Sequence, residues 1–89
     1  MNPDKLRTLL RNIRNLKYPQ RALSDVDAFG AALASDLSTS RDEAMALLGY
    51  LLARDYARII PGMGLVVNPA NEEIQSLVDS GALDQEAQS

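Results

Sequence analysis

Cysteine and histidine are both absent from this chain. Without cysteine there is no disulfide, no thiolate nucleophile and no sulfur ligand for zinc. Without histidine the usual general base at neutral pH is missing too. Carboxylates remain, and the paired ones, Asp25/Asp27, Asp42/Glu43 and Glu72/Glu73, each fall in the first turn of an expected helix. Capping and the positive end of the helix dipole account for acids at such positions. A glycine-rich phosphate loop is also lacking, because Gly62-Met63-Gly64 does not open a helix. The chain is therefore not expected to be an enzyme. No catalytic residue, metal ligand, cofactor or small-molecule ligand is assigned.

Long hydrophobic runs are absent as well, so no membrane span is expected. The N-terminal stretch alternates charge with leucine and has no secretory apolar core, which makes the cytoplasm the expected location. Aromatic residues number only four, Tyr18, Phe29, Tyr50 and Tyr56, so the core must be built mainly of leucine. Eighty-nine residues suffice for one small domain. It is expected to span residues 1–83, with 84–89 as a disordered acidic tail where apolar content runs out.

Charge is unevenly placed. The net charge is −3, but Met1 to Arg21 carries six cations and one acid, whereas the rest carries three cations and eleven acids. Such asymmetry fits a basic contact segment, an acidic partner face, or attraction between two halves of one fold.

Helical spacing appears first at Leu6, Leu9, Leu10, Ile13 and Leu16, which mark the buried face of a first helix opened by Pro3. Arg7, Arg11 and Arg14 form a stripe along one flank of it, suited to phosphates or to an acidic protein face, or simply solvated. Tyr18-Pro19-Gln20 stops that helix, since the residue before proline leaves the α region. Ala22-Leu23 is expected to be a short strand, and Ser24 the N-cap of a second helix. The inward face of that helix is Val26, Phe29, Leu33 and Leu37, with Gly30 a candidate for close packing.

Ser40-Arg41-Asp42-Glu43 has the form of a capping box, in which Ser40 accepts from the Glu43 N–H and the Glu43 side chain returns to the Ser40 N–H. A third helix from Arg41 to about Asp55 then buries Ala44, Leu47, Leu48, Leu51 and Leu52. Its opposite face carries Asp42, Ala46, Gly49 and Ala53, flanked by Glu43, Met45 and Tyr50. Arg58-Ile59-Ile60 and Leu65-Val66-Val67 read as two strands joined at Pro61-Gly62-Met63-Gly64. A fourth helix begins at about Asn71, packs Ala70, Ile74, Leu77 and Val78 inward, and stops at Gly81, with Leu83 returning to the core.

This order of helix, turn, helix and hairpin, over roughly Leu23 to Val67, resembles the winged helix-turn-helix superfamily. The expected fold is mainly α with a small β-hairpin, namely four helices plus a two-stranded wing. The resemblance implies a DNA-associated transcriptional regulator with the third helix in the major groove. Carried over by position, Ser40, Arg41, Asp42, Met45, Ala46 and Gly49 would face DNA, with Gly62 to Gly64 at the wing, and Arg7, Arg11, Arg14, Arg54 and Arg58 would supply further contacts. Those positions on the third helix lack the Arg, Lys, Asn and Gln that read base edges. A protein-interaction adaptor or inhibitor, of phage or mobile-element type, stands beside the first reading. Its partner or second copy would meet Met45, Ala46, Gly49, Tyr50, Ala53 and Met63.

Overall fold

The computed structural model describes residues 3–83. Among them lie five helices and one two-stranded antiparallel sheet, in the order α1 (Pro3–Arg14), α2 (Gln20–Leu23), α3 (Val26–Leu37), α4 (Arg41–Ala53), β1 (Ala57–Ile60), β2 (Gly64–Val67) and α5 (Glu72–Asp79). The fold is thus mainly α with a small hairpin. The expected tail at 84–89 lies outside the described residues.

One core joins these elements. Leu9, Leu10 and Ile13 of α1, Phe29, Leu33 and Leu37 of α3, and Ala44, Leu47, Leu48 and Leu51 of α4 are all buried. Leu65, Ile74 and Leu83 close it from the hairpin and the C-terminal side, each fully buried. Four residues assigned to this core lie outside it. Leu52 falls at the rim of the α4 stripe, and Val26, the first residue of α3, is 60% exposed. Leu16 sits past the end of α1, and Ala70 sits in the turn before α5.

The additional helix, α2, stands where a strand was expected. Pro19 occupies the N-cap position of α2, and its carbonyl accepts from the Ala22 N–H at 2.9 Å. Proline favours the first turn of a helix, where its missing N–H costs nothing, so Gln20–Leu23 turns helical. The chain that meets the sheet lies just upstream. The Tyr18 carbonyl accepts from the Leu65 N–H at 3.1 Å, which covers the outer edge of β2.

The caps decide where α3, α4 and α5 begin. Asp25, not Ser24, caps α3 by accepting from the N–H groups of Asp27 and Ala28; Ser24 instead donates to the Arg21 carbonyl. Ser40 caps α4 through the Glu43 N–H at 3.1 Å, but the Glu43 carboxylate accepts from the Thr39 hydroxyl and not from the Ser40 N–H. Half of the expected capping box is therefore made. Asn71 caps α5.

All four longer helices end in one motif. After α1, the Lys17 N–H reaches the Asn12 carbonyl and the Leu16 N–H reaches that of Ile13. The same pair of bonds recurs at Ser38/Thr39, Asp55/Tyr56 and Gly81/Ala82. This is the Schellman arrangement, which needs one left-handed residue at the turn. Gly81 supplies it after α5, but Leu16, Ser38 and Asp55 do so elsewhere, with φ of 56°, 53° and 63°.

β1 and β2 pair with Ala57 opposite Val67 and Ile60 opposite Gly64. The Met63 N–H donates to the Ile60 carbonyl, and Gly62 has φ +87°. A Pro-Gly pair with a left-handed second residue is the preferred composition of a type II turn.

Candidate interaction surface

Two elements present the outward surface that follows from the sequence, α4 and the hairpin. Along α4, Asp42, Ala46, Gly49 and Ala53 are exposed. A Cβ built on Gly49 would meet no atom within 4 Å, so α5 does not cover this ridge. Met45 and Tyr50, on its flanks, are partly buried and pack against the core.

The three arginines of this surface each meet a partner within the chain. Arg41 sends Nη2 to 2.6 Å from Asp27 Oδ1 on α3. The Arg54 guanidinium lies 4.9 Å from the centre of the Tyr50 ring, where the ring's negative face attracts it. Arg58 binds Asp55 with both arms of its fork, Nε to Oδ1 at 3.0 Å and Nη2 to Oδ2 at 3.1 Å. That hydrogen bonding holds the Asp55 carboxyl below its ordinary value and raises Arg58. Ser40 is spent as a cap. On α1, Arg7 is exposed while Arg11 and Arg14 are partly buried. On the same helix, Lys5 lies 3.9 Å from Glu43 of α4.

On the hairpin, Ile59, Ile60 and Met63 are 53%, 38% and 50% exposed. Exposure of Met63 follows from its place in the turn. Exposure of the isoleucines was not legible in the apolar strand pattern, because a two-stranded hairpin has too little sheet to cover both of its faces.

Two polar arrangements also escaped the sequence. Asn68 is buried, donates to the Asp55 carbonyl at 3.0 Å and accepts from the Ala70 N–H at 3.0 Å, tying the hairpin's exit to the end of α4. The Tyr18 hydroxyl donates to Asp36 Oδ2 at 2.8 Å, Lys17 lies 3.0 Å from Asp36 Oδ1, and Phe29 meets the Tyr18 ring edge-on at 5.5 Å. Burial, then the hydrogen bond to Asp36, pushes the Tyr18 phenol well above its ordinary value. With Ala22, Ala28 and Ala32 these residues line an open cleft of about 330 Å³ between α2 and α3. An Asn-Pro pair and a Tyr-Pro pair were the available signals, and each reads only as a chain break.

Among the described residues no group of three or more acids could hold a metal ion. No described helix is long and apolar enough to cross a membrane. No family model, curated protein or solved structure matches this chain.

Proposed function

We propose that this chain is a winged-helix binding module that takes a protein partner, not DNA, on α4 and the wing. The winged-helix reading is supported by the order α1, α3, α4 and hairpin, with the Tyr18 backbone lying where a third wing strand would run. One observation carries the choice of partner. Arg41, Arg54 and Arg58, the cations that would flank a duplex at this helix and wing, are engaged by Asp27, the Tyr50 ring and Asp55. Duplex affinity comes largely from cations that displace counterions from phosphates. A face on which two of the three cations are already paired with carboxylates, and which adds an exposed Asp42, gains little from that source. The same face offers small residues on α4 and apolar side chains at the wing, which suit a protein surface.

Fluorescence anisotropy with a mixed-sequence duplex at about 50 mM salt tests the reading. No titratable binding is expected. In parallel, an immobilised wild-type chain should retain a partner that both Gly49→Arg and Met63→Asp fail to retain. Duplex binding that weakens with salt, and weakens further in an Arg7/Arg11/Arg14 triple alanine variant, would overturn the protein-partner reading in favour of DNA.

A further inference from the structure

We propose that β1 is a strand-docking edge on which a second copy of this chain pairs antiparallel, joining two hairpins into one four-stranded sheet. Ladder geometry leads there. The Asn68 N–H donates to the Tyr56 carbonyl at 2.9 Å, which is one of the two bonds of a hydrogen-bonded pair in the register of the sheet, the Tyr56 N–H going to Leu51 instead. Antiparallel ladders alternate bonded and non-bonded pairs, so Arg58 and Ile60 point their backbone groups at β2, and Ile59 points its N–H and C=O away from it. Leu65, opposite Ile59, obeys the same alternation, since its N–H turns outward to Tyr18. The two edges of the sheet therefore differ. Tyr18 covers β2, whereas no backbone group among the described residues bonds to Ile59.

An outward N–H and C=O on one extended residue accept another extended strand, and the sequence of β1 is complementary to itself. With Ile59 opposite its own copy, the two residues exchange both hydrogen bonds. Arg58 then faces Ile60 of the second copy, at the closer spacing of a non-bonded pair. That register keeps the two Arg58 side chains from facing each other. Asp55 already neutralises Arg58, so the strands meet without net repulsion. Natural edges are guarded by charged side chains, proline or a covering element; among the described residues no backbone covers Ile59, and the one charge on β1, Arg58, is paired with Asp55. Pro61, lacking an N–H, ends the ladder at the turn, so the contact is short and the association weak.

Sedimentation equilibrium between about 10 μM and about 1 mM reads the outcome. The apparent mass should rise toward twice that of the monomer, and hydrogen exchange at the Ile59 amide should slow with concentration. Ile59→Lys, at a half-exposed position that leaves the fold intact, should stay monomeric throughout. A wild type that remains monomeric at about 1 mM would overturn the proposal. So would a dimer that leaves Ile59 exchange unchanged, or one that survives Ile59→Lys. Gly49→Arg, on the far side of α4 from the core, should dimerise like the wild type, so loss of a foreign partner and loss of self-pairing are separable.

Discussion

Gly30 on α3 lies directly beneath Arg41 on α4: a Cβ built on the glycine would sit 2.7 Å from Arg41 Nε. The missing side chain lets the arginine cross α3 and reach Asp27. Alanine at this position should gain up to about 1 kcal/mol of helix propensity. It should also displace Arg41 and lose an exposed ion pair worth about 0.2–1 kcal/mol. Gly30→Ala is therefore expected to be near neutral in urea denaturation, and to stabilise by about 1 kcal/mol only in an Arg41→Ala background. Equal effects in both backgrounds would show that the two residues are uncoupled.

The helical periodicity of the leucines was enough to place the core face of α1, α3 and α4, since only one face of each helix can be buried. Starts were nearly as legible, because a capping side chain must be one of a few residue types. At Ser24-Asp25 two adjacent candidates competed, and the carboxylate, with two N–H groups in reach, won. Ends were harder to read. Leu16, Ser38 and Asp55 take the left-handed position usually given to glycine, so composition gave no signal there. The surface was legible at Ala46, Gly49 and Ala53. The ion pairs that neutralise Arg41 and Arg58 depend on tertiary approach and turn geometry, which no spacing encodes.

A left-handed residue with a Cβ costs about 1–2 kcal/mol. Leu16 adopts that conformation and is 49% exposed, so it recovers little by burial. Leu16→Gly should therefore raise stability by about 1 kcal/mol in chemical denaturation. A loss of stability would mean that the Leu16 side chain contributes packing that its exposure hides.

The competing cap residues can be separated by two variants. Asp25→Ala should destabilise by about 0.5–2 kcal/mol, because the N–H groups of Asp27 and Ala28 lose their acceptor. Ser24→Ala removes only a donor to the Arg21 carbonyl on an exposed turn and should stay within about 0.5 kcal/mol of wild type. A reversal of these effects would assign the cap to Ser24.

Alkaline pH should act through Tyr18. Burial and the hydrogen bond to Asp36 raise its phenol above the ordinary value, so the unfolded chain releases this proton first. Stability linked to Tyr18 is then complete below about pH 10 and declines as pH rises from there toward the folded-state value. Denaturation at stepped pH above about 10 should show a shallower decline for Tyr18→Phe than for wild type. Equal declines would mean that the phenol ionises as readily folded as unfolded.

Gly64 provides the sharpest test of how the hairpin joins the helices. It has φ +107°, and a Cβ there would lie 2.5 Å from both Tyr18 O and Gln20 N and 2.6 Å from Pro19 C. All three are backbone atoms, so they cannot yield as a side-chain tip would. The same segment carries the carbonyl that accepts from the Leu65 N–H. Gly62 is the control, since it has φ +87° but open space around its Cβ position. Gly62→Ala should cost only the left-handed strain of about 1–2 kcal/mol. Gly64→Ala adds overpacking of backbone against backbone and should cost more than about 3 kcal/mol. That is a large share of the roughly 5–15 kcal/mol available to a small domain. Equal costs for the two variants in urea denaturation would show that the Tyr18–Gln20 segment does not press on Gly64, and that the hairpin is held by its apolar side chains alone.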